Sequence, residues 1–156
     1  MHAAGRSPAF LRLLAAAGEH VPKSTNLLGR LRTHEGRIDL KKYGLFPIVA
    51  GARAAALAWG SMATGTDARL TEAAAKGAFA KESAHSLIEA RATIVEAILD
   101  QQLEDAAAGV PPSNRVDPRR LGRSAVSRLR NALGIAAQTP ELVHDALSNR
   151  PLTLAP

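Results

Sequence analysis

Apolar residues recur at three- and four-residue steps along most of this chain, and no useful stretch alternates at every second position. That spacing belongs to one stripe of an α-helix, not to a half-buried strand. Ser7 and Pro8 read as the cap and first residue of a short helix running to about Gly18. Residues 19–38, EHVPKSTNLLGRLRTHEGRI, mix Pro, Gly, Ser, Thr and Asn without clear periodicity, which predicts a connector or extended arm. A helix follows, capped by Asp39 or beginning nearer Leu45, and ending at Trp59 with Gly60 as its stop. Pro47 fits only in its first turn or as a kink, because it has no N–H to donate.

GSMATGT reads as a loop, after which Thr66 caps a short helix that Gly77 ends. The longest helix is predicted from about Lys81 to Ala108, roughly 40 Å long. Its apolar positions are Leu87, Ile88, Ile94, Val95, Ile98, Leu99 and Leu103. Gly109 stops it, and VPPSNRVDP predicts a rigid turn. The last helical region spans about Arg123 to Leu147, with Thr139-Pro140 kinking it or starting a fresh helix. Long amphipathic helices joined by short loops predict an all-α antiparallel helical bundle with an irregular N-terminal arm. The expected organisation is a short helix and connector over 1–35, the bundle over 36–148 and a tail over 149–156. No internal repeat is visible.

Composition narrows the function. The length of 156 residues suits one domain with a real core. Twenty Lys and Arg against fourteen Asp and Glu leave a formal charge of +6, which directs attention to phosphates and nucleic acid. One Trp, one Tyr and three Phe leave little to stack bases on, and the basic residues are dispersed, so nucleic acid is the least favoured partner. The absence of Cys excludes disulfides, thiolate catalysis and Cys-based zinc sites, and fits a reducing compartment. No apolar run is long enough to cross a bilayer, and Arg12 interrupts any signal-type core near the start. A soluble cytoplasmic protein with no membrane partner is expected.

Catalytic chemistry finds no motif. His2, His20, His34, His85 and His144 form no HExxH pair and no ligand spacing, so surface or cap roles are expected and no metal is assigned. GSMATGTDAR faintly echoes a Gly-Ser turn before paired metal-holding acids, but Arg69 stands where the second acid after Asp67 would be. Arg91 and Gln102 fall near the apolar stripe of the long helix, with Asp100 close by; they either pair at its edge or line a polar groove. Arg115, Arg119, Arg120, Arg123, Arg128 and Arg130 make the densest positive region, read as a solvated face. A second charged stretch, GRIDLKKYGLFPIVAGAR over 36–53, sets Arg37, Asp39, Lys41, Lys42 and Arg53 around an apolar run shaped by Gly36, Gly44 and Pro47. It is either a helix start with solvated lysines or a surface built to meet a phosphate or a partner.

GRIDLKKYGLFPIVAGARAAALAWG resembles the hallmark of the nucleotidyltransferase substrate-binding domain family. The likeness continues through TDARLTEAAAKGAF, QQLEDAAAGVPPSNRVDPRRL and the helix after it, covering about residues 26–138. The resemblance implies a helical module that follows a nucleotidyltransferase-like catalytic domain, often behind CBS or cyclic-nucleotide-binding modules, in bacterial signalling proteins akin to PII uridylyltransferases. It implies an accessory module with no catalytic residue and no cofactor of its own. Nucleotide and Mg²⁺ would belong to a catalytic domain in the same or a separate chain, and an acceptor protein is a further implied partner. It also implies that Arg37, Asp39, Lys41, Lys42 and Arg53 face that domain or substrate phosphates. Two departures stand out: Asp100-Gln101 precede Gln102-Leu103 where the family tends to carry Arg-His, and Pro140 interrupts a helix expected to be continuous. The competing readings are a non-enzymatic helical module binding a partner protein or a second copy, and a basic nucleic-acid binder.

Overall fold

The computed structural model describes Leu31 and residues 33–149. The expected helix from Ser7 to Gly18, most of the connector before Ile38 and nearly all of the 149–156 tail lie outside these residues. The described chain begins with a tight reversal. His34 and Arg37 exchange backbone hydrogen bonds of 2.8 and 3.1 Å, while Glu35 and Gly36 take φ of 54° and 78°. Two consecutive positive φ values are what a two-residue type I′ turn demands, and glycine meets that demand without steric cost at the second.

Strand β1 (Ile38–Asp39) follows, then a π-helical turn over Lys41–Leu45 that runs directly into helix α1 (Phe46–Ala58). Helices α2 (Thr66–Ala75) and α3 (Lys81–Ala107) come next. After α3, strand β2 (Arg115–Val116) and a 3₁₀ turn over Pro118–Arg120 lead into helix α4 (Arg123–Ser148). Pro47 sits in the first turn of α1, where the π-helical turn passes into α-helix. Gly60, Gly77 and Gly109 take positive φ just past α1, α2 and α3, as their sequence positions predict.

The four helices form the expected bundle: α3 packs on α4, α1 on both α2 and α4, and α2 on α3. Ile48, Leu70, Leu87, Ile94, Leu129 and Leu133 are buried between them. Each such aliphatic side chain contributes about 1.5–3 kcal/mol on removal from water. Much of the remaining core is alanine (Ala52, Ala54, Ala55, Ala73, Ala90, Ala136), which lets the helices approach closely. Gly44 marks one close approach, since a Cβ there would lie 2.8 Å from Ile94 Cδ1 and 3.1 Å from Leu133 Cδ2.

Three expectations are corrected. The stretch before α1 and the turn after α3 are not merely irregular, because β1 pairs antiparallel with β2 (Ile38 opposite Val116, Asp39 opposite Arg115). Leu40 extends the ladder by donating its N–H to the Asn114 carbonyl at 3.1 Å. Ile38, Leu40 and Val116 are buried while Asp39 points outward, so these few residues do alternate. Thr66 does not cap α2: Gly65 holds the N-cap position and Thr66 is the first helical residue. Finally, α4 runs through Pro140 without a fresh start, although proline leaves the Ala136 carbonyl without its usual donor.

The stripe on α3 also shifts. Toward its C-terminal end the buried row continues through Ile94, Ile98, Gln101 and Asp105, leaving Leu99 and Leu103 53% and 70% exposed. Asp105 is inside because its carboxylate accepts from Gln101 Nε2 and from the Ser113 amide, both at 2.8 Å. The pair thereby ties the end of α3 to the connector that carries β2.

Candidate functional site

The small sheet joins the entry to α1 with the connector that leaves α3, and a cleft of about 420 Å³ opens there. Thr33, His34 and Arg37 come from the reversal, Asp39 from β1, Lys42 and Tyr43 from the π-helical turn, and Arg115 from β2. Local structure fixes each of them. The type I′ turn sets His34 and Arg37 side by side, and pleating turns Asp39 away from the core that takes Ile38 and Leu40. The Lys42 amide donates to Asp39 Oδ1 at 2.9 Å, so the carboxylate holds the start of the helical turn. Arg37 Nη1 donates to the Arg115 carbonyl at 3.3 Å, and Lys42 Nζ lies 5.5 Å from the Tyr43 ring centroid.

Three permanent cations, Arg37, Lys42 and Arg115, therefore share a concave surface with one carboxylate and with His34. Arg119 and Asp117 brace the same region from behind. Asp117 accepts from Arg119 Nε at 3.0 Å and Nη2 at 2.8 Å, and from the Arg119 amide at 2.9 Å. Its pKa falls from 3.8 to about 2, chiefly through the Arg119 side-chain hydrogen bonds, then the Arg119 amide, with the charges of Arg119 and Arg37 adding to the effect. The guanidinium so held lies against Gly36, where a Cβ would come within 2.9 Å of Nη2. The demand on Gly36 is its positive φ, since the Arg119 fork is a flexible, exposed end that could move aside.

The residues singled out from the sequence fall into distinct places. Arg37, Asp39 and Lys42 meet in the cleft; Lys41 and Arg53 are exposed and do not line it. Gly44 and Pro47 are buried structural residues at the approach to α1. Arg91 makes a bidentate pair with Asp67, Nε to Oδ1 at 2.6 Å and Nη2 to Oδ2 at 2.7 Å, fastening α3 to the start of α2. That hydrogen bonding raises the Arg91 pKa above its ordinary value. Gln102 Nε2 donates to Asn114 Oδ1 at 3.3 Å. At 1.5 Å of rise per residue, Arg91 and Gln102 stand about 16 Å apart along α3. Arg120 of the basic series pairs with Glu104 at 3.2 Å, and Arg123, Arg128 and Arg130 are exposed.

Sequence reading missed His34, Tyr43 and Arg115 as members of one site. The available signal was Glu35-Gly36 between His34 and Arg37, a short turn pattern that brings those two residues together. Among the described residues, no three His, Cys, Asp or Glu side chains cluster to hold a metal ion, and no helix is long and apolar enough to cross a membrane.

Comparison with curated proteins and with solved structures returns no match. A family model does match, the one described as "Putative nucleotidyltransferase substrate binding domain", and it covers residues 8–146. That span takes in the reversal, the cleft and the four described helices apart from the last two residues of α4, and reaches beyond the 26–138 stretch carrying the motif resemblance. The chain belongs to this nucleotidyltransferase substrate-binding domain family.

Proposed function

We propose that this chain is the accessory substrate-binding and docking module of a nucleotidyltransferase-like signalling protein, with the catalytic acids and Mg²⁺ held by a separate catalytic domain. Family membership supports the association with a nucleotidyltransferase. The observation that carries the reading is the convergence of Arg37, Lys42 and Arg115 on one cleft, a surface fitted to phosphate-bearing groups. In this reading the cleft and the adjoining exposed Lys41 face the catalytic domain or its substrate, and the bundle behind them is a rigid support. Arg53, further along α1, extends the same docking face.

The test joins the chain to a nucleotidyltransferase catalytic domain and measures their association, with Lys41 and Lys42 both replaced by Gln. Surface charges contribute within about half a kcal/mol to stability, so the fold should be unchanged. Association should weaken by about 2 kcal/mol or more if these lysines are desolvated at the interface. Unchanged association would return both lysines to a solvated helix start. A second reading, a helical interaction module that pairs with another protein or a second copy, is favoured by Leu99 and Leu103, exposed one turn apart on α3.

A further inference from the structure

We infer that the cleft between the reversal and β2 binds a nucleoside triphosphate by its phosphate chain, an assignment that rests on the accessory substrate-binding reading and adds the ligand class. Shape comes first. A concavity of about 420 Å³ lies within the range of about 300–1,000 Å³ that small-molecule sites occupy, whereas protein docking faces are broader and flatter.

Charge comes second. Arg37, Lys42 and Arg115 belong to three separate chain segments, and the fold brings them to one surface. Arginine forks match phosphate oxygens two at a time, and a lysine in the same cleft acts as a point charge. Asp39 opposes them, so a lone monovalent anion gains little there. A chain of phosphates, carrying three or four charges, meets all three cations at once and outweighs the single carboxylate.

The remaining groups suit the rest of a nucleotide. Asp39 offers a carboxylate of the kind a ribose hydroxyl donates to, and Tyr43 gives the cleft its aromatic wall, half-buried and backed by the core. Arg119 is a positioning residue here. Held by Asp117, its guanidinium lies beside Gly36 of the reversal from which Arg37 projects.

The experiment is calorimetric titration of the full 156-residue chain with ATP, UTP, inorganic tripolyphosphate and inorganic phosphate. The nucleoside triphosphates should bind at least as tightly as tripolyphosphate, tripolyphosphate should compete with them, and phosphate should be far weaker. Arg115→Gln and Arg37→Gln should each weaken nucleotide binding about tenfold, the loss expected for one charge-assisted contact. Arg128→Gln, on the exposed face of α4, should leave it unchanged, and circular dichroism should report the same helix content throughout. The inference is overturned if no nucleotide binds at millimolar concentration, if both cleft variants bind as the parent does, or if tripolyphosphate binds tighter than every nucleotide. Should nucleotide binding fail while association with the catalytic domain persists, the docking reading stands and this assignment alone falls.

Discussion

Gly51 marks a close approach of α1 to α4, and replacing it tests whether the bundle depends on that approach. A Cβ at this position would lie 2.5 Å from Thr139 Cγ2 and 3.1 Å from Val143 Cγ2. Thr139 is 1% exposed, and its β-branched side chain is stiff, so it cannot swing aside as the end of a long side chain would. Two effects compete in Gly51→Ala. Removing a mid-helix glycine gains about 0.5–1 kcal/mol through lost unfolded-state entropy. Overpacking a core contact costs about 1–3 kcal/mol, and a separation this short lies at the costly end. The net should be a destabilisation of about 1–2 kcal/mol, measured as a lower urea midpoint at unchanged slope. Thr139→Ser removes the clashing methyl while keeping the hydroxyl, so in that background Gly51→Ala should become neutral or stabilising. The cycle should return a coupling of about 2 kcal/mol. A stabilising Gly51→Ala in the parent chain, or additive single changes, would refute the close-approach account.

The other expectations concern the brace behind the cleft and the exposed face of α3. The Asp117 carboxyl is held below its ordinary value in the folded chain, so the stability it contributes is complete above about pH 4 and is lost as pH falls toward its folded value of about 2. Asp117→Asn should therefore lower Tm at neutral pH and flatten its fall between pH 4 and pH 2; parallel Tm profiles for the two chains would remove Asp117 from the acid response. Leu99→Gln with Leu103→Gln should leave the unfolding midpoint nearly unchanged, because both side chains are already more than half exposed. If the second-copy reading holds, the same pair should reduce dimerisation in light scattering at fixed concentration, and an unchanged mass would remove that reading.

How much of this could be read from residues alone follows the range of the interactions involved. Helix positions were legible because caps, stops and three- and four-residue spacing are local: Gly60 and Gly109 end their helices where expected, and Pro47 sits in a first turn. The fate of Leu99 and Leu103 was not legible. Their spacing fits the apolar stripe, yet the buried row runs through Gln101 and Asp105, where Gln101 donates to Asp105 within the helix and Asp105 accepts from the chain after α3. Asp105 becomes a core residue because a partner from beyond the helix end, the Ser113 amide, meets its carboxylate. Pro140 shows the same dependence. Packing of Thr139, Val143 and Ala136 holds α4 in one piece against a local preference for a break.

The cleft is the strongest case of this dependence. Arg37 and Lys42 stand five positions apart and are visible together, but Arg115 is 78 positions from Arg37 and joins them only through the pairing of β1 with β2. That pairing is two residues long on each side, too short to leave a periodic signature, and it is held by Ile38, Leu40 and Val116 reaching into the helical core. The same short sheet therefore does two things: it anchors the entry to α1, and it sets one basic residue of the connector beside two from the reversal and the π-helical turn. Bringing like charges together costs free energy that an isolated surface would not carry, and burial of those three apolar side chains offsets it. The crowding of charge in GRIDLKK is therefore paired with apolar residues that point the opposite way. Any short strand with one buried face shows that alternation; in the proposed site it would also hold the cations in place for an incoming polyphosphate, and the cleft variants test that use.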